Sequence, residues 1–187
     1  MIWIRLGMLV VVFLSRLATG SPAALAQPAG DPVSGVVQEV AETRILLTTG
    51  ANFTLGDQAR VTLVAAATAA QLAPGQYVAI TAQLDADGVL QASIVSAFPE
   101  ELRGTGEGQR PMDGGNLMTN ATIEDAVDDT VDSAELTVSF LGQTARVRIS
   151  GDTRVEIRRL GSPADIVPGV AVTTVVNNGV SGNVSVR

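Results

Sequence analysis

Short runs of alternating apolar and polar residues recur along the chain, and most end at a cluster of turn-forming residues. In residues 59–64, for example, Val61 and Leu63 share one face while Arg60 and Thr62 share the other. A period of two residues is typical of a strand with one buried face. Comparable strand-like runs occupy residues 33–40, 44–48, 77–84 and 89–96. The pattern therefore predicts an all-β chain of short strands.

One eight-residue stretch occurs twice. Residues 68–75 read TAAQLAPG, residues 162–169 read SPADIVPG, and the two are offset by 94 positions. Each copy predicts a hydroxyl N-cap, one helical turn, an apolar anchor (Leu72 or Ile166) and a Pro-Gly turn that leads into a strand.

Two further matches follow the same order and indicate an internal duplication. Residues 55–63 match residues 141–149 at an offset of 86, and the turn at 85–88 corresponds to the one at 177–179. The offset grows by 8 (94 − 86), which places an insertion in the second copy around residues 154–161.

The duplication predicts two tandem small antiparallel β-barrels of five to six strands, each with one short helical turn. We expect barrel repeat 1 at residues 33–98, a flexible Gly-rich linker at 99–118 and barrel repeat 2 at 119–187. Closure of each barrel would leave no open strand edge. The anchors Leu72 and Ile166 would each plug the barrel of their own repeat.

The N-terminal 26 residues have the three parts of a signal peptide. Arg5 gives the first segment a positive charge, and residues 6–14 form an apolar run. Ala24-Leu25-Ala26 has the small-x-small pattern that a signal peptidase cleaves. The run is short for a membrane span, which needs about 20 residues. We therefore expect export to the periplasm, cell surface or medium. Because Arg16 interrupts the segment, an uncleaved N-terminal tether is the alternative, and it is the one membrane contact expected.

The amino-acid composition excludes several kinds of functional site. The chain has no Cys and no His, and all twelve basic residues are Arg. Disulfides, a histidine base or ligand, and lysine Schiff bases are therefore excluded. The formal charge of −7 argues against nucleic acid as a partner, because phosphates would repel the chain.

The turn and core residues carry a family resemblance. The order Gly-x-Val-x-x-Val, a helical turn, Leu-x-x-Gly-x-x-Val-x-Ile and Asp-Gly-x-Leu-x-Ala resembles exported bacterial domains of unknown function that often occur in tandem. In the first copy the matching positions are Gly35, Val37, Val40, Leu72, Gly75, Val78, Ile80, Asp87, Gly88, Leu90 and Ala92. The second copy lacks the first glycine and ends differently. The resemblance implies small OB-like barrels and export, and it supplies no catalytic residues.

The densest acidic run is a candidate metal site. It comprises Glu124, Asp125, Asp128, Asp129 and Asp132. Carboxylates at this density could hold Ca²⁺ weakly, at the millimolar level found outside cells. The alternative is an acidic, solvated loop between two strands, since no glycine provides the tight turn of a dedicated site.

The inserted segment carries a cluster of positive charge at Arg154, Arg158 and Arg159. Arginine pairs well with carboxylates, so these residues could bind an acidic polysaccharide. Alternatively, they pair with the acidic run of the same repeat or face water.

These features together predict a non-enzymatic exported binding or assembly module at the cell envelope. Its partner would be an envelope protein or an acidic polysaccharide. The alternatives are a weak Ca²⁺-dependent adhesion or matrix component, for which Ca²⁺ is the one cofactor expected, and a hydrolase that uses carboxylates alone.

Overall fold

The computed structural model describes residues 30–130 and 133–187, with the side chains of 128–130 left out. The predicted signal peptide at 1–26 lies outside the described residues. Within the described ranges, no helix has the length and apolarity needed to cross a bilayer.

Twelve strands make up most of the described chain. In order they are β1 (Asp31–Ala41), β2 (Arg44–Leu47), β3 (Asn52–Ala67), β4 (Tyr77–Leu84), β5 (Leu90–Ala97), β6 (Gly108–Pro111), β7 (Leu117–Thr130), β8 (Ser133–Phe140), β9 (Gln143–Ile149), β10 (Arg154–Leu160), β11 (Ala171–Asn177) and β12 (Val180–Val186). Alternation is clearest in β8 and β11, where every second side chain is buried. The all-β prediction is confirmed.

The strands form two five-stranded barrels. Barrel A runs in the order β11-β1-β2-β3-β12, and β12 pairs with β11 to close it. Barrel B runs in the order β4-β7-β8-β9-β5, closed by the pair β5–β4. Each barrel has one parallel pair, β3–β12 in A and β9–β5 in B, and its other pairs are antiparallel. This is the Greek-key barrel expected of an OB-like fold.

The barrels do not follow the predicted division of the chain at residues 99–118. Barrel B is built from one continuous segment, residues 77–149, which is inserted between β3 and β11 of barrel A. The expected barrels at 33–98 and 119–187 are therefore corrected. The physical reason is that each half gives its last hairpin to the three-stranded sheet of the other half.

Strand registers show that the two barrels are built alike. Tyr77 of β4 pairs with Thr122 of β7, and Ala171 of β11 pairs with Val36 of β1. The offsets are 94 (171 − 77) and 86 (122 − 36), which are the offsets of the sequence repeat. The β4–β5 and β11–β12 hairpins therefore dock in the same register.

Strand β10 joins the barrels through a central four-stranded sheet, β12-β3-β10-β5. Val64 of β3 pairs with Arg158 of β10, and these two positions are equivalent at an offset of 94 (64 + 94 = 158), because residues 154–157 pair with β5 as residues 60–63 pair with β12. The same ladder pairs Ala66 with Glu156. A pseudo-twofold axis therefore passes through the Val64–Arg158 pair. The predicted insertion around residues 154–161 is wrong, since these residues have counterparts in β3 and the extra residues of the second copy lie before β10.

The repeated eight-residue stretch forms a capped 3₁₀ turn in both halves. The Gln71 side chain accepts a hydrogen bond from the Thr68 N–H at 3.0 Å, and Asp165 accepts one from the Ser162 N–H at 2.7 Å. The turns themselves span Ala69–Gln71 and Pro163–Asp165.

The anchor after each turn is buried. Leu72 lies in the core of barrel B and Ile166 in the core of barrel A. Each anchor therefore packs into a barrel assembled from both halves of the chain, not from its own repeat alone. Gly75 and Gly169 then adopt φ of +86° and +95°, which favours glycine at both turns.

The predicted flexible linker is instead folded against barrel B. Strand β6 pairs with β7, and the Leu102 side chain is buried. The carbonyl oxygen of Thr105 accepts hydrogen bonds from Tyr77 Oη at 3.1 Å and Asn120 Nδ2 at 2.9 Å. These contacts give the glycine-rich segment a fixed path.

Candidate functional site

The alternation of β10 separates its side chains onto two faces. Val155 belongs to the core of barrel B, and Ile157 packs against that core. Arg154, Glu156 and Arg158 therefore lie on the opposite face of the central sheet, outside the barrel.

Glu156 is the centre of this face, with a side chain that is only 5% exposed. Its Oε1 lies 3.1 Å from Arg154 Nε and 3.0 Å from an Arg187 guanidinium nitrogen. Its Oε2 lies 3.4 Å from an Arg158 guanidinium nitrogen and accepts a hydrogen bond from Ser96 Oγ at 3.2 Å. We call Arg154, Arg158 and Arg187, with Glu156 between them, the arginine cluster.

Sequence reasoning missed Arg187 and Ser96. Arg187 follows β12, and Ser96 lies on β5 directly beside Glu156. Strand pairing brings both to Glu156 across 31 and 60 positions of chain. The available signal was the spacing Arg154-x-Glu156-x-Arg158, which places one acid between two bases on one strand face.

The cluster has more positive charge than its own carboxylate can pair. A carboxylate has about four lone-pair sites, and Glu156 accepts three hydrogen bonds, from Ser96, Arg158 and Arg187, beside its ion pair with Arg154. Three guanidinium groups against one carboxylate leave a side-chain charge of +2 (3 − 1). Each guanidinium carries five N–H donors, so most donors of the cluster are not used by Glu156.

Arg158 is the most enclosed of the three arginines. Its side chain is 24% exposed, and its Cζ lies 5.7 Å from the centre of the Phe98 ring. Its Nε is buried without a hydrogen-bond partner among the described residues. Burial lowers the Arg158 pKa from its usual value, Glu156 raises it, and the neighbouring Arg187 and Arg154 lower it further.

The arginine cluster lies near the pseudo-twofold axis, at positions where the two copies of the repeat carry different residues. Ser96 pairs with Glu156, as Ser185 pairs with Thr62, so the last strands are related by an offset of 89 (185 − 96). By this symmetry Glu156 replaces Thr62, Arg158 replaces Val64 and Arg187 replaces Phe98 (98 + 89). The second copy has therefore gained charge where the first has neutral side chains.

Arg159 does not join the cluster. It lies on the same strand as Arg158 but points to the other face, where it is exposed. The predicted pairing of these arginines with the acidic run is also corrected, because Arg154 and Arg158 pair with Glu156. Facing water remains the description that fits Arg159.

Residues 124–129 of the acidic run lie on a strand and not in a loop, because β7 extends to Thr130. Ser139 Oγ donates a hydrogen bond to Glu124, and Asp125 accepts one from the Ala126 N–H at 3.0 Å. The side chains of Asp128, Asp129 and Asp132 lie outside the described residues. In the described part of the chain, no group of three or more acidic side chains is placed to hold a metal ion.

Comparison with known proteins adds no family to this description: no family model, curated protein or solved structure matches the chain. The resemblance to exported bacterial domains therefore stays a prediction.

Proposed function

We propose that this chain is an exported, non-enzymatic binding module that holds an anionic ligand at the arginine cluster. The observation that carries the proposal is the side-chain charge of +2 around a buried carboxylate that accepts three hydrogen bonds and forms a further ion pair with Arg154. In a chain of net charge −7, this concentration of positive charge favours a local anionic partner over general attraction.

The chemistry of the cluster suits binding better than catalysis. Guanidinium groups keep their protons at ordinary pH, so they orient a charge and do not transfer protons. Glu156 is buried, accepts three hydrogen bonds and pairs with three arginines, an environment that keeps it ionised and enclosed and does not suit a base that takes up a proton.

Carboxylates are ligand groups that the cluster fits. The planar guanidinium matches a carboxylate with two parallel hydrogen bonds, as well as matching a phosphate. Arg154 and Arg187 are 58% and 41% exposed, so both can turn unused donors toward a ligand while they keep Glu156. Export, as predicted from residues 1–26, would bring the protein among envelope polymers, of which carboxylated polysaccharides carry this group repeatedly.

The test is calorimetric titration of the mature chain with oligogalacturonate, with the fully methyl-esterified oligomer as the neutral counterpart. The acid form should bind and the ester should not, with affinity falling as salt is raised. Replacement of Arg154 and Arg187 together by Ala should weaken binding at least tenfold.

Arg159→Ala is the matched control for the loss of Arg154, because it removes one positive charge from the same strand on the opposite face. Equal loss in the control and the double variant would overturn the assignment of the site. Equal binding of the ester would overturn the anionic ligand.

A further inference from the structure

The C-terminal hairpin completes a barrel that begins more than a hundred residues earlier in the chain. Strand β12 pairs in parallel with β3, and β11 pairs with β1. The hairpin contributes Val172, Val176, Val184 and Val186 to the core of barrel A. Without it, the sheet β1-β2-β3 would expose its apolar face.

The buried side chains of the hairpin, and not its strand register, distinguish barrel A from barrel B as its partner. Thr174 occupies the position of Ile80 (174 − 80 = 94). Ser181 pairs with Val176 as Ala92 pairs with Ala82, so Ser181 occupies the position of Ala92 (181 − 92 = 89). Both hydroxyls are buried and bond each other, and Thr174 also donates to the Asn183 carbonyl oxygen at 2.6 Å.

This difference disfavours exchange of hairpins between the two barrels. In barrel B, Thr174 would bring a hydroxyl and leave a cavity where Ile80 now packs. In barrel A, Ile80 would add volume where Thr174 now lies. The same difference does not distinguish a chain's own hairpin from that of another copy, because barrel A is identical in every copy.

The connection to the hairpin is local and has no covalent lock. Residues 161–170 link β10 to β11, and Ile166 within this link packs in the core of barrel A. Ile166 would therefore travel with the hairpin, and the change of path would fall near Gly161. The chain contains no Cys that could fasten the hairpin to its own barrel.

We propose that the C-terminal hairpin is an interface between copies of this chain, in which β11 and β12 of one copy complete barrel A of another. Every strand pair of the closed chain is preserved in such an assembly, so the exchange costs little beyond the altered connection. This proposal is independent of the arginine cluster's ligand.

Ser34 and Thr173 provide a direct reporter of the exchange. They face each other across β1 and β11, and both are exposed. A chain with Ser34→Cys and a differently tagged chain with Thr173→Cys are unfolded together, refolded and oxidised. The two cysteines meet at disulfide distance only when a hairpin has entered the other copy's barrel.

The expected result is a mixed disulfide dimer whose fraction rises with protein concentration. Tethered segments have effective concentrations of about 1 mM, so we expect roughly one chain in a hundred exchanged at about 10 μM and comparable populations near about 1 mM.

The control is a mixture of Thr173→Cys and Ser185→Cys chains, because these positions pair within one hairpin and do not meet across copies. A mixed-dimer fraction equal to this control at every concentration would overturn the proposal. A fraction that exceeds it and rises with concentration supports it.

Discussion

Removal of the charge of Glu156 is the perturbation that the structure predicts most sharply. Glu156→Gln keeps the size of the side chain and a partner for Ser96, but it removes the only carboxylate within the arginine cluster. Breaking a buried ion pair by neutralising one partner costs about 3–5 kcal/mol, because the other charge stays buried.

The value expected here lies at the lower end, about 3 kcal/mol. Arg154 and Arg187 are half exposed and can turn to water, whereas Arg158 is held between the sheet and Phe98. For a chain of this size, each kcal/mol lowers the melting midpoint by about 2–4 °C, so we expect a fall of roughly 6–12 °C.

Differential scanning calorimetry measures this fall, with Glu135→Gln as the control. Glu135 lies 3.5 Å from Arg148 and 3.9 Å from Arg146 on an exposed face, so its loss should cost less than about 1 kcal/mol. Added citrate should raise the midpoint of Glu156→Gln more than that of the control, because it replaces the missing carboxylate. A midpoint for Glu156→Gln as high as that of Glu135→Gln would refute the reasoning.

Three further outcomes follow from the fold. Ile166→Ala should lower the free energy of unfolding by about 2–5 kcal/mol and reduce hydrogen-exchange protection in barrel A alone. Leu72→Ala should reduce this protection in both barrels, because barrel B joins the two parts of barrel A. Loss in both barrels for Ile166→Ala, with loss in one barrel for Leu72→Ala, would contradict the nested arrangement. Burial raises the Tyr77 pKa, so the folded state favours the neutral phenol and should lose stability above about pH 10. Tyr77→Phe should lose less stability over that range. Parallel curves of unfolding free energy against pH for the two proteins would contradict this prediction. The hydrogen bond from the Val89 N–H holds the Asp85 pKa below its usual value, so the stabilisation by this carboxylate is present above about pH 4 and is lost on acidification. Urea unfolding midpoints measured from pH 7 downward should therefore fall less steeply for Asp85→Asn than for the unaltered chain. An equal fall in the two proteins would contradict this prediction.

The sequence pattern was sufficient for most strands, for the presence of a duplication and for the capped turns, but not for β6 or for where the extra residues of the second copy lie. Alternation marks strands locally, and the eight-residue repeat is local as well. Which sheet each hairpin joins could not be read in this way, because both hairpins have the same register. That choice depends on side-chain volumes in two cores, such as Thr174 against Ile80.

The folded segment after β5 was missed for a related reason. Its glycines suggested flexibility, but Gly104, Gly106 and Gly108 instead adopt positive φ and turn the chain back on barrel B. The bonds that hold it come from Tyr77 and Asn120, on strands distant in sequence. Glycine content alone does not distinguish a flexible linker from a tightly turned one.

The candidate site was found in part. Two of three predicted arginines belong to the cluster, while Arg159 points away by strand alternation. Arg187 and Ser96 required the tertiary pairing of β12 and β5 around β10. Among the described side chains, the acidic residues of 124–132 do not come together around a common point, and the Ca²⁺ hypothesis stays a prediction.

The location of the ligand is tested most directly by NMR of the arginine Nε–H groups during titration with oligogalacturonate. If the arginine cluster holds the anion, the signals of Arg154, Arg158 and Arg187 shift together and saturate with one affinity, while that of Arg159 stays in place. Shifts confined to arginines outside the cluster, with these three unmoved, would contradict the account.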